Sequence, residues 1–196
     1  MHRILHRINT RGELLKCPKD LGVEVDIRSN GKVLITHHEP FMKGEDFEEW
    51  LTAYDHGTLI LNVKEEGLEE RLIDIMTREN IKNYFFLDQT FPSLIKLAQT
   101  REGQSAVRIS EFESIDTAMS LAGKVEWVWV DCFSQFPLSK ESAYQLKEHG
   151  AFKLCFVSPE LHGRMDIEGV TIFRKNIEAL GIKGDAVCTK YPDLWG

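Results

Sequence analysis

The sequence predicts an α/β protein, a compact TIM-type (β/α)8 barrel of parallel strands, and three observations carry that expectation. Short β-branched or aromatic runs alternate with helix-like segments from one end of the chain to the other. Most of those runs are nearly continuous in apolar character, as strands covered on both faces by helices must be. Their number is eight, which favours a closed barrel over an open sheet, and neither a GxGxxG nor a GxxxxGK[ST] motif marks a nucleotide-binding open fold. At 196 residues the chain falls just under the usual lower bound of about 200 for this fold, so every connection has to be short.

The strand candidates, in order, are Arg3–Arg7, Val23–Arg28, Thr58–Lys64, Tyr84–Asp88, Ala106–Ser110, Trp127–Asp131, Phe152–Ser158 and Ala186–Thr189. A ninth run, Lys32–Thr36, follows Val23–Arg28 across Ser29-Asn30-Gly31. Asn-Gly is a hairpin signal, so this run reads as an antiparallel extension. Helices are expected where apolar residues recur at i, i+3, i+4 and i+7. Phe47, Trp50, Leu51 and Tyr54 do so over Phe47–Asp55, and Leu68, Leu72, Ile75 and Met76 over Leu68–Asn80. Pro92 suits the first turn of a helix running through Gln99. Ser139 can cap one that stops at His149-Gly150, and Phe173–Leu180 ends at Gly181. No repeat, linker or composition shift divides the chain, so one barrel domain over 1–196 is expected.

Composition narrows the partners. With 24 Lys+Arg against 31 Asp+Glu the net charge is −7, which argues against nucleic acid as the main partner. A small phosphate ligand held by local cations is compatible with that balance. The N-terminal stretch interleaves basic and apolar residues and does not read as a signal peptide. No window approaches the roughly 20 apolar residues of a membrane span. Cys17, Cys132, Cys155 and Cys188 form no CxxC pair. A reduced, cytoplasmic protein without stable membrane association is the expectation.

The polar residues inside the strands carry the chemistry. Glu24 and Asp26 are two apart, so their carboxylates point to one face while Val23, Val25 and Ile27 take the other. Two carboxylates aimed inward call for compensation, most simply a hard divalent cation; the plainer reading is a polar pair at a strand end. Asn62 and Lys64 repeat the geometry in the next parallel strand, where an amide oxygen can ligate Mg²⁺ or Ca²⁺ and a lysine can hold a phosphate oxygen. His6 ends the first strand, on the face where barrel active sites are built, and His37 and His38 end the hairpin after the second. Two histidines from different segments are what a general acid and a general base require. His56 and His149, each before a glycine that precedes a strand, read as helix C-terminal residues on the opposite face.

His6-Arg7, Gly22-Val23-Glu24-Val25-Asp26 and His38-Glu39-Pro40 together resemble the glycerophosphodiester phosphodiesterase family and its wider phospholipase C-like barrel superfamily. Leu61-Asn62-Val63-Lys64 falls where that family has Glu-x-Lys. Gly184-Asp185-Ala186-Val187-Cys188-Thr189-Lys190-Tyr191-Pro192 is similar to its closing Asp-Gly-x-x-Thr-Asp-x-Pro segment. The resemblance implies metal-assisted hydrolysis of a small soluble phosphodiester. Glu24, Asp26 and Asn62 would be the ligands of Mg²⁺ or Ca²⁺, His6 and His38 the acid–base pair, and Arg7 and Lys64 the phosphate partners. His37 is the alternative to His38, which the following Glu-Pro favours. A cyclising lyase, or a silent barrel that binds a phosphorylated ligand, are the alternatives.

The departures are specific. Asn62 stands where the family has an acidic ligand, Ile8 where a glycine follows His-Arg, and the Glu-Asn-Thr segment is missing. Cys155-Phe156-Val157-Ser158 replaces a Trp-Thr-like segment, and Ala186 and Lys190 replace Gly and Asp. Asp88, Arg108, Asp131, His162 and Arg164 are further polar residues at or beyond strand ends, where a solvated loop position or a local ion pair is the ordinary reading. Trp127 and Trp129 share a face suited to core packing, and Trp195 has no assigned role.

Overall fold

The computed structural model describes residues 1–100 and 103–196. Its strands are β1 (His2–Leu5), β2 (Gly22–Asn30), β3 (Val33–Thr36), β4 (Glu45–Asp46), β5 (Leu59–Val63), β6 (Tyr84–Leu87), β7 (Gly103–Ile109), β8 (Val125–Val130), β9 (Lys153–Val157) and β10 (Ala186–Thr189). The helices are α1 (Arg11–Leu14), α2 (Phe47–Leu51), α3 (Glu69–Arg78), α4 (Phe91–Thr100), α5 (Ile115–Met119), α6 (Lys140–Tyr144) and α7 (Ile167–Ala179). The fold is the compact TIM-type barrel class that the alternation predicts, with β3 and β4 as an antiparallel addition. Among the described residues no helix is long and apolar enough to cross a membrane.

The chain forms two compact units, one of Leu5–Lys96 and one of Met1–Ile4 with Leu97–Gly196. In the first, the strand order is β4-β3-β2-β5-β6. β2 runs parallel to β5 with Glu24 opposite Ile60 and Asp26 opposite Asn62, and β5 runs parallel to β6. β2 is antiparallel to β3, as the Asn-Gly turn requires. Val23, Val25, Ile27, Leu59, Ile60 and Leu61 are all fully buried. Strands buried on both faces cannot follow an apolar/polar alternation, which is why these runs read as continuous. α2 delivers Phe47 and Trp50 to the core, and Asp46 caps it by accepting the Glu49 N–H.

The second unit orders its strands β1-β10-β9-β8-β7. β7 to β8, β8 to β9 and β9 to β10 are parallel. Trp127 and Trp129 are buried, as core packing predicts. Ser139 caps α6, and the chain continues through a wide π-type turn to His149. α7 is longer than its apolar periodicity implies, because Asp166 caps it one turn and more upstream of Phe173. Buried Glu160 accepts hydrogen bonds from the Thr189 hydroxyl (2.6 Å) and the Lys190 N–H (2.9 Å), as well as from Ser158. Trp195 donates its indole N–H to Ser158 Oγ at 3.1 Å, so the residue without an assigned role anchors the C-terminal segment.

Candidate active site

The strand pleat places Glu24 and Asp26 as expected, both on one face of β2, and almost fully buried at 1% and 0% exposure. Asn62, opposite Asp26 in the parallel ladder, donates its amide N–H to Glu24 Oε1 at 2.6 Å. The other Glu24 oxygen accepts the Arg7 backbone N–H at 2.9 Å and lies 3.5 Å from His6 Nε2. Lys64, just beyond β5, puts its ammonium 3.2 Å from Asp26 Oδ1 and 3.0 Å from Asp88 Oδ2. Six of the seven predicted site residues therefore share one polar network around two buried carboxylates. His38 joins it through Arg7.

That junction sets a tautomer. Arg7 Nη2 lies 2.6 Å from His38 Nε2, and a guanidinium can only donate, so Nε2 is the acceptor and the ring proton sits on Nδ1. Nδ1 faces Glu39 Oε1 at 2.7 Å, which fixes the ring from behind. The hydrogen bond from His38 holds the Glu39 carboxyl below its usual range. The His38 carbonyl in turn accepts from Arg28 Nε and Nη2, at 3.0 and 2.9 Å. His37 turns away: its ring accepts the Glu39 N–H at 2.9 Å, a local bond. Gly44 closes this loop where a Cβ would stand 2.6 Å from the Thr36 carbonyl oxygen, so only glycine fits.

Two residues that sequence reasoning missed complete the site. Asn9 donates to Asp26 Oδ2 at 2.7 Å while its own Oδ1 accepts the Asp26 N–H at 2.9 Å. Glu39 is the second; it entered the sequence pattern only as a neighbour of His38. Neither belongs to a periodic element, so proximity to the two histidines was the only available signal. Backbone strain concentrates here as well. Arg7, Phe41 and Asp88, with φ of 56°, 63° and 59°, are non-glycine residues in the left-handed region.

Electrostatics make the carboxylate pair the costly feature. Burial, then the neighbouring Asp26 charge, push the Glu24 carboxyl up from 4.5 to about 7, against lowering contributions from Asn62, Arg7 and Lys64. A cavity of about 200 Å³ opens at Lys64, lined also by Glu65, Glu66, Asp88 and Gln89 among others. Gln89 Oε1 is a buried acceptor with no hydrogen-bond partner among the described residues.

The oxygen atoms fit a hard cation. Asn62 Oδ1 is buried and accepts no hydrogen bond from the described residues, and Asp26 Oδ1 meets Lys64 at ion-pair distance without hydrogen-bonding geometry. Two carboxylates and an amide oxygen form a donor set of the kind that Mg²⁺ and Ca²⁺ take. Among the described residues no group of three or more His, Cys, Asp or Glu side chains is placed to hold a metal.

The buried Glu24 and Asp26 of β2, Asn62 of the parallel β5, and the histidines in the loops after β1 and β3 make a polar site of the kind that parallel barrels build at strand C-termini. Solved structures specify the likeness further. The chain matches the crystal structure of a glycerophosphodiester phosphodiesterase from Agrobacterium tumefaciens, with a TM-score of 0.66, 13% identity, and coverage of 100% of this chain and 99% of the other. It matches a glycerophosphoryl diester phosphodiesterase from Parabacteroides distasonis with a TM-score of 0.66, 12% identity, and coverage of 98% and 84%. The fold is thus one that glycerophosphodiester phosphodiesterases have. No family model and no curated protein matches the sequence.

Proposed function

We propose that this protein is a phosphoric diester hydrolase that cleaves a small soluble glycerophosphodiester-like substrate by His/His general acid–base catalysis, aided by Mg²⁺ or Ca²⁺. The observation that carries the reading is the single network joining His6, Arg7, Glu24, Asp26, His38, Asn62 and Lys64. A bound phosphodiester draws Arg7 and Lys64 to its non-bridging oxygens. His38 Nε2, released from Arg7, accepts a proton from the attacking water, whose oxygen bonds to phosphorus. The leaving alcohol departs with a proton from His6 Nε2, giving one phosphomonoester and one alcohol. Glu39 keeps the His38 ring in the reactive tautomer, and Glu24 supports the protonated form of His6. A cation held by Glu24, Asp26 and the Asn62 amide oxygen would polarise a phosphoryl oxygen and add to the charge stabilisation that Arg7 and Lys64 provide. The polar cavity of about 200 Å³ beside Lys64 suits one small ester alcohol.

Purified protein assayed on a panel of glycerophosphodiesters, with Mg²⁺, Ca²⁺ or chelator, tests this reading. His38→Ala is expected to lower turnover by about 10²- to 10⁴-fold while leaving the melting temperature within a few degrees. Turnover that is indifferent to His38→Ala sinks the assignment. Asn62 supports one rival, a silent phosphoryl-binding barrel, which predicts ligand binding by calorimetry and no product. Phosphorus NMR separates a monoester product from the cyclic diester that a lyase would make.

A further inference from the structure

The second unit holds a polar cluster at the ends of β7, β8 and β9 whose residues have no role in the proposed hydrolysis. Asp131, directly after β8 and 4% exposed, accepts from His162 Nε2 at 2.5 Å through Oδ1. Its Oδ2 lies 3.7 Å from Arg108 Nη1 of β7. The ring of His162 packs on Phe133, with centroids 4.8 Å apart, and Phe133 on Phe112 at 6.1 Å. Phe112 is 80% exposed, and Phe133 is at the edge of exposure.

The loop that presents Phe133 is held from two sides. Glu111 accepts the backbone N–H groups of Phe133, Ser134 and Gln135 at 3.1, 2.5 and 2.5 Å. Arg164 donates to the carbonyls of Cys132 and Ser134. The aromatic that this loop orders, Phe133, stays 36% exposed rather than entering the core. The fixation pre-organises an apolar surface of tilted rings beside a rigid set of polar groups, which lowers the ordering cost of binding.

The charges identify the ligand class. Two carboxylates, Asp131 and Glu111, match two guanidiniums, Arg108 and Arg164, in number, so the cluster offers hydrogen-bonding capacity with no excess of guanidinium over carboxylate. A phosphate would find no surplus of positive charge among them. A neutral ring with an apolar face and hydroxyls around its edge meets both halves of the cluster: aromatic faces take the C–H surface, the His162 Nδ1 accepts from one hydroxyl, and guanidinium N–H groups donate to others. We propose that Arg108, Phe112, Phe133 and His162, with Asp131 orienting the polar pair, form a carbohydrate-binding site for a hexopyranose ring.

Saturation-transfer NMR and calorimetry on the full chain, with methyl glucosides, galactosides and mannosides, test the site, with nucleosides and glycerol as comparison ligands. At least one hexoside is expected to bind at millimolar concentration. Phe133→Ala and His162→Ala should weaken it tenfold or more, Phe112→Ser several-fold, and Phe133→Trp should keep it. Phe112 is so exposed that its variant folds even if Phe133→Ala does not. The proposal is overturned if no hexoside binds, if the aromatic and His162 variants leave the affinity unchanged, or if nucleosides bind in preference, because bases also stack on aromatic rings.

Discussion

The two units handle buried charge in opposite ways. In the unit of Leu5–Lys96, two carboxylates two residues apart are sunk into a strand face, and the protein's own donors leave Glu24 shifted up to about 7. In the other unit, buried Asp131 is matched by His162 and Arg108, and Glu111 is saturated by backbone N–H groups. An unbalanced pair is a standing cost that folding alone would not retain, and it is where a cation and a phosphate can lower the energy on binding. A balanced cluster lacks that drive and is suited to recognising a neutral ligand. On the proposed reading, the contrast separates chemistry from recognition within one chain.

The largest expected effect tests whether the carboxylate pair is unbalanced. In chelator, the folded protein keeps a proton on Glu24 over the window from 4.5 to about 7, where the unfolded chain has released it. Stability must then fall as pH rises through that window and level off above it, by an amount on the order of 3 kcal/mol. Denaturant titrations at several pH values measure the slope, and Glu24→Gln should remove it. A flat profile, or one that rises with pH, would mean that Asn62, Arg7 and Lys64 already neutralise the pair.

A smaller effect follows from the third position of the same site. Asn62→Asp adds a carboxylate beside Glu24 and Asp26, so cation affinity by calorimetry should rise about tenfold, worth about 1.4 kcal/mol. In chelator the same variant should melt lower than wild type, because three buried acids repel more than two. Tighter cation binding without the loss of apo stability would show that the carboxylates are better screened than their burial implies.

Much of this contrast is legible in the sequence, and the reasons differ by element. Strands buried on both faces leave continuous apolar runs, so all nine strand candidates correspond to strands, with shifts of at most three residues at their ends. Glu24, Asp26, Asn62 and Lys64 stand out because polar residues at period two interrupt such runs. α1 escaped periodicity because four residues cannot show it, although Thr10 and Glu13 form a capping box that marks its start. β4 is two residues long and exists only through its pairing with β3. Asn9 and Glu39 were hidden because loop geometry, not spacing, turns them toward Asp26 and His38. For the same reason the sequence names Asp131 and His162 as separate loop residues, 31 positions apart, and cannot pair them.

The smallest expected effect concerns Glu111, whose shift runs the other way. Partial burial pushes its carboxyl up, but the hydrogen bonds from Gln135 and Ser134 outweigh it and hold the group at about 2, below its ordinary 4.5. A depressed carboxyl stabilises the fold fully above 4.5, and that contribution is lost as pH falls toward 2. Because the group is partly exposed, screening cuts the amount to about 1 kcal/mol. Comparing wild type with Glu111→Gln in acid should show a stability gap that is constant above pH 5 and closes toward pH 2. Amide exchange at Ser134 and Gln135 should quicken over the same range, since their N–H groups lose their acceptor. If the gap instead widens in acid, the Phe133 loop is not held by a charged Glu111. The balance ascribed to this unit would then have to come from Asp131, His162 and Arg108 alone.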